Sequence, residues 1–153
     1  MKNTVFMLFF IFFGINLYSQ RVYYGYPVND TLKKGDIAIV NLPEINLNNG
    51  RFMNWKDFDN LVNLLEFNKD NKLRIEINYS TLGGSGLCER VSKNLCKHLE
   101  EILEFKTVLK NYHIISNGDK NPIFLKKIKN REKNREKKIQ YGKFNTRIEI
   151  FVE

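Results

Sequence analysis

The sequence predicts an α/β domain of the α+β sandwich kind, with two helices packed on one face of a small mixed sheet. Three observations carry this. "KLRIEINY" (72–79) alternates cleanly, with Leu73, Ile75, Ile77 and Tyr79 on one side and Arg74, Glu76 and Asn78 on the other. "NTRIEIFVE" at the end alternates again, with Ile148, Ile150 and Val152 against Arg147, Glu149 and Phe151. Two segments with apolar residues at helical spacing separate the strand-like runs, and alternating elements cover their greasy faces by stacking helices on the sheet. A chain of 153 residues is long enough for one such domain and too short for two ordinary ones, and 42% hydrophobic with 27% charged residues excludes a disordered chain.

Each element has its own signal. "IAIVNL" from Ile37 is a short β-rich run and the expected first strand. In "NWKDFDNLVNLLEF" (54–67), Trp55, Phe58, Leu61, Val62 and Leu65 share a helical stripe. Asn54 precedes it as a helix cap, and Asp57 and Asp59 lie in the first turns, where the helix dipole favours acids. "CERVSKNLCKHLEEILEF" (88–105) places Val91, Leu95, Leu99, Ile102 and Leu103 on a second stripe. "YHIISNG" (112–118) reads as a third strand, and 145–153 as the fourth. The expected order is strand, helix, strand, helix, strand, basic insert, strand.

Two segments flank this core. "MKNTVFMLFFIFFGINLYSQ" has a basic head at Lys2, an apolar run from Val5 to Ile15 and the small residue Ser19, the pattern of a signal peptide (1–19) cleaved before Gln20. An uncleaved anchor is the alternative, although the run is shorter than the roughly 20 residues that span a bilayer. The mature chain is expected to be exported, with no transmembrane segment. Residues 20–36, polar and aromatic with Gly25, Pro27 and Gly35, read as a leader before a domain at 37–153.

Export draws attention to Cys88 and Cys96, the only two cysteines. Eight residues apart on one helix, they are separated by roughly 12 Å, beyond the ~7 Å a disulfide tolerates. They read as two small buried thiols. His98 and His113 stand alone, without metal-ligand spacing.

The net charge is +8, or +7 once Lys2 is removed with the signal. Most of the excess lies in 126–143, "KKIKNREKNREKKIQYGK", where Lys126, Lys127, Lys129, Arg131, Lys133, Arg135, Lys137 and Lys138 are joined by Lys143 against two glutamates. The tandem "NREK" repeat suits a short solvated helix with Glu–Lys neighbours, and the stretch is either a solubilising loop or a surface for anionic polymer or membrane. No aromatic residue interleaves the cations before Tyr141, so nucleic acid is not an expected partner.

The turn "TLGGSGL" (81–87) between strand and helix invites a phosphate-loop reading. Gly84 and Gly86 meet the first two positions of G-x-G-x-x-G, but the third falls on Glu89, which repels a phosphate. No cofactor is expected.

Taken together, residues 37–153, about three quarters of the chain, resemble the OmpA-like C-terminal domain, a periplasmic module that anchors outer membranes to peptidoglycan. That family has a strand ending in G-H-T-D, a helix with N-x-x-L-S-x-x-R-A, a loop G-x-G-E-x-x-P and a last strand N-R-R-V-E. "VSKNLCKHLEEIL" from Val91 is similar to the helix motif with Ser92 at its serine, "SNGDKNP" (116–122) to the loop, and "NTRIEI" from Asn145 to the last strand. The resemblance implies a βαβαβ–β fold and a ligand site at Asn78, Ser80, Leu95, Asn145 and Arg147. In the family an aspartate and an arginine grip the diaminopimelate of the peptidoglycan stem peptide, a zwitterion that needs one carboxylate and one guanidinium. Here Ser80 stands at the aspartate position, Leu95 at the arginine, Asn78 at the histidine and Cys88 at the asparagine, while Asn145 and Arg147 persist by type. Arg90 lies five residues early on the helix.

The resulting expectation is a non-catalytic, cell-envelope module, periplasmic with outer-membrane association left open. It would hold peptidoglycan weakly, or an envelope protein, through a degenerate diaminopimelate site. The alternatives are a basic surface binder acting through 126–143 and a secreted hydrolase built on His98 or His113.

Overall fold

A computed structural model of the chain describes residues 20–27, 31–42, 44–46, 48, 50–53, 55–81, 84–106, 111–121 and 145–153. The expected signal segment 1–19, the expected helix cap Asn54 and the whole basic stretch 126–143 lie outside the described residues.

The elements, in chain order, are β1 (Val22–Tyr24), β2 (Ile37–Asn41), β3 (Ile45–Asn46), β4 (Arg51–Phe52), α1 (Trp55–Phe67), β5 (Leu73–Asn78), α2 (Ser85–Lys106), β6 (Tyr112–Gly118) and β7 (Arg147–Val152). Five strands form one mixed sheet in the order β1-β2-β7-β5-β6, and β3 and β4 form a separate hairpin. β7 runs antiparallel to both of its neighbours, while β1 is parallel to β2 and β5 parallel to β6.

The register explains the core. Ile150 of β7 sits between Ala38 and Ile75, and Ile148 sits between Val40 and Ile77. Because side chains alternate along each strand, this row shares one sheet face, and every member of it is 0% exposed. Phe58, Leu61 and Leu65 of α1 and Val91, Leu95, Leu99 and Leu103 of α2 join the same cluster. The described members of both expected helical stripes therefore close onto the expected face, each fully buried Leu or Ile contributing about 1.5–3 kcal/mol. Both cysteines are buried and free, and both lie on α2, which begins three residues before the expected start.

Two parts of the fold correct the sequence reading. Residues 20–36 are not a leader outside the domain, because β1 adds an edge strand beside β2. Leu32, 1% exposed, is held as well: its N–H donates to Asn68 Oδ1 (3.0 Å) and its carbonyl accepts from Asn71 Nδ2 (3.1 Å). Asp36 completes the attachment, accepting from Arg21 Nη2 (2.6 Å), Arg21 Nε (3.2 Å) and the Lys33 N–H (2.8 Å). Burial pushes the Asp36 carboxyl up, but these donors outweigh it and hold the group below its usual value. The second correction is the β3–β4 hairpin, which lies in a stretch that carries no strand signal in the sequence.

Candidate functional site

The sheet face turned away from the helices carries Arg74, Glu76 and Asn78 from β5 beside Arg147, Glu149 and Phe151 from β7. Sequence alternation predicts a polar, open face. Its polarity holds, but its exposure does not: Glu76 is 6%, Asn78 1% and Arg147 4% exposed.

Burial of these groups requires that they answer one another. Glu76 and Glu149 are register partners, an arrangement of like charges that is destabilising when uncompensated. Each has its own cation. Arg74 pairs with Glu76, and Arg147 Nε donates to Glu149 Oε1 at 2.6 Å. Asn117 Nδ2 adds a donor to Glu76 Oε2 at 2.6 Å. The terminal nitrogens of Arg147 donate to backbone carbonyls, Nη1 to Asn145 (3.2 Å) and Nη2 to Asn121 (2.8 Å).

A register shift delivers Asn117 to this face. Ile77 pairs with Ser116, but Asn78 pairs with Gly118, so β6 accommodates one extra residue. Ser116 then faces the helix and donates to Ser92 Oγ (2.9 Å), which donates in turn to the Ile77 carbonyl (2.8 Å). Gly118 ends the strand at φ +56° with the Glu89 backbone 3.2 Å from where a Cβ would stand, so helix and strand meet there only because this residue is glycine.

Four of the five residues named from the resemblance come together at this end of the sheet. Asn78 and Arg147 are register partners across β5 and β7. Ser80 is tied to the start of β7 by both backbone groups: its N–H donates to Thr146 Oγ1, and its carbonyl accepts from the same hydroxyl, each at 3.1 Å. Asn145, half-buried, supplies the carbonyl that Arg147 holds. The fifth does not take part as a ligand-facing group, since Leu95 is 0% exposed within the core.

One donor in this cluster has no acceptor. Asn78 Oδ1 accepts from Asn117 Nδ2 at 3.3 Å, but Asn78 Nδ2 is buried without a hydrogen-bond partner. Its register partner across the ladder is Arg147, whose guanidinium also has only donors to offer. The sequence flags Asn78 by position but not the unanswered amide, which depends on the shift in β6.

The other chemically interesting residues are dispersed. Burial pushes both thiols up, Cys96 to about 12 with Glu100 adding to the effect. His113 is exposed, and His98 is half-buried with Nδ1 accepting from the Phe52 N–H. Among the described residues no group of three or more His, Cys, Asp or Glu side chains could hold a metal ion, and no helix is long and apolar enough to cross a membrane. The chain matches no family model and no curated protein.

Proposed function

We propose that this protein is a non-catalytic binding module of the cell envelope, built on an OmpA-like scheme whose usual diaminopimelate grip has been lost. It holds peptidoglycan weakly or a protein partner, and acts in the periplasm after export. The observation that carries the reading is that Asn78, Ser80, Asn145 and Arg147 come together at the end of β5 and β7. Ser80 and Asn145 are its half-buried members, and a hydroxyl and an amide suit uncharged hydrogen bonds to a ligand. The element order, two helices and a final strand laid back into the sheet, supports the same scheme.

The charged grip is absent by side-chain type. Ser80 offers a hydroxyl in place of a carboxylate, and Leu95 is sealed in the core. Arg147 is occupied by Glu149 and two carbonyls. The non-catalytic part of the reading is supported by two thiols buried away from solvent, and by a His98 ring whose Nδ1 is engaged by backbone.

Cosedimentation of the purified mature protein with sacculi at low and high salt tests this. Modest retention that survives raised salt is expected, because the contacts at the cluster are largely uncharged. Retention that collapses with salt would instead assign binding to the basic stretch 126–143, whose phosphate- or carboxylate-directed contacts are screened.

A further inference from the structure

The β3–β4 hairpin is attached in an unusual way. Its two strands pair only with each other, Ile45 with Phe52 and Asn46 with Arg51, and do not join the main sheet. A two-stranded hairpin has little stability of its own, so its position depends on what it docks against.

It docks on α2 and α1. Phe52, 8% exposed, lies with its ring centroid 5.1 Å from Phe58 of α1 and 5.5 Å from His98 of α2, nearly parallel to the imidazole at 25°. The turn enters the contact as well. Gly50 has φ +67°, and a Cβ there would stand 2.5 Å from Asn94 Cβ, one helical turn before His98. A polar link across the contact is the Phe52 N–H donating to His98 Nδ1 at 3.2 Å.

That link works only with a neutral ring. Nδ1 accepts a hydrogen bond when it carries no proton, and imidazolium carries one on both nitrogens. Protonation would set two donors against each other beneath the hairpin. We propose that the β3–β4 hairpin is a latch released by protonation of His98, which lets Phe52 lift from Phe58 and uncovers the apolar ground between α1 and α2.

The charges facing His98 oppose one another. Burial and the Arg51 guanidinium on the hairpin disfavour the imidazolium, whereas Glu101 on α2 favours it, and the net effect holds His98 below its usual value. The folded state therefore prefers the neutral ring. Its contribution is complete above the unfolded value near 6.5 and is lost as pH falls through the lower folded value. Arg51 also moves with the hairpin, so release relieves its repulsion with the charged ring. Asp36, held below the usual carboxylate value by its donors, keeps the N-terminal attachment intact through this window.

Residue-resolved amide exchange on the mature protein, corrected for intrinsic rates, tests the latch between about pH 7.5 and about pH 4.5. The ratio of Phe52 protection to that of Ile75 in β5, which reports global opening, should fall about five- to tenfold on acidification, the worth of one hydrogen bond. His98→Gln keeps an acceptor that does not titrate, so its ratio should stay flat. His98→Leu should show low Phe52 protection at both pH values. A flat ratio in the wild type, or an equal fall in either variant, would overturn the proposal.

Discussion

Leu95→Arg is expected to prevent the chain from folding. Leu95 is 0% exposed at the middle of the α2 stripe, within the cluster that joins both helices to the sheet. A guanidinium there has no partner and no route to water, and an unpaired buried charge costs several kcal/mol after relaxation. Net stabilities of domains are about 5–15 kcal/mol, so this change alone consumes most of the margin. Leu95→Ala should lose about 2–5 kcal/mol through the cavity it leaves, whereas Leu95→Met, which keeps volume, should lose less than about 1.5 kcal/mol. Thermal melts of the three variants check this ranking. A folded Leu95→Arg melting near the wild type would place position 95 within reach of solvent and return it to the ligand site.

Arg147→Met should destabilise by about 3–5 kcal/mol, by a different route. The methionine fills much of the space but leaves Glu149 facing Glu76 across the ladder with no cation of its own. It also removes the guanidinium donors to the carbonyls of Asn121 and Asn145. Adding Glu149→Gln should recover part of the loss, because the repulsion between facing carboxylates goes with it. Denaturant melts of the single and double variants at neutral pH measure both the loss and its recovery. A loss below about 0.5 kcal/mol would mean that the guanidinium is a surface group.

These two residues mark how far the sequence can be read. Periodicity placed both helices and the strands 73–78 and 147–152 with their buried faces, and short β-type runs marked the strands 37–41 and 112–118. Short elements without a period escaped. "VYY" at 22–24 is three residues of edge strand in a polar, aromatic stretch, and its pairing is set by Arg21 and Asp36 fifteen residues apart. β3 and β4 have two residues each and are held by α2 rather than by their own pattern. At the candidate site, alternation assigned Asn78, Glu76 and Arg147 to the correct face but implied solvent contact. Their burial and the unanswered Asn78 amide depend on the register of β6, which is set by a close approach at Gly118 and by no local propensity. Leu95 was legible in two incompatible ways, as a family ligand position and as a member of an apolar stripe, and packing decided for the stripe.

The central claim, that the charged grip on diaminopimelate is gone while the surrounding donors remain, is tested most directly by calorimetric titration of a diaminopimelate-containing stem peptide into the mature protein. Each charged hydrogen bond that Ser80 and Leu95 fail to make is worth about 1.5–3 kcal/mol. Two such losses lower affinity by roughly two to four decades. Little or no heat at peptide concentrations that saturate a protein with both charges is therefore expected. Tight binding through the stem peptide would contradict the account, because it would require a carboxylate and a guanidinium that the end of β5 and the buried face of α2 do not present.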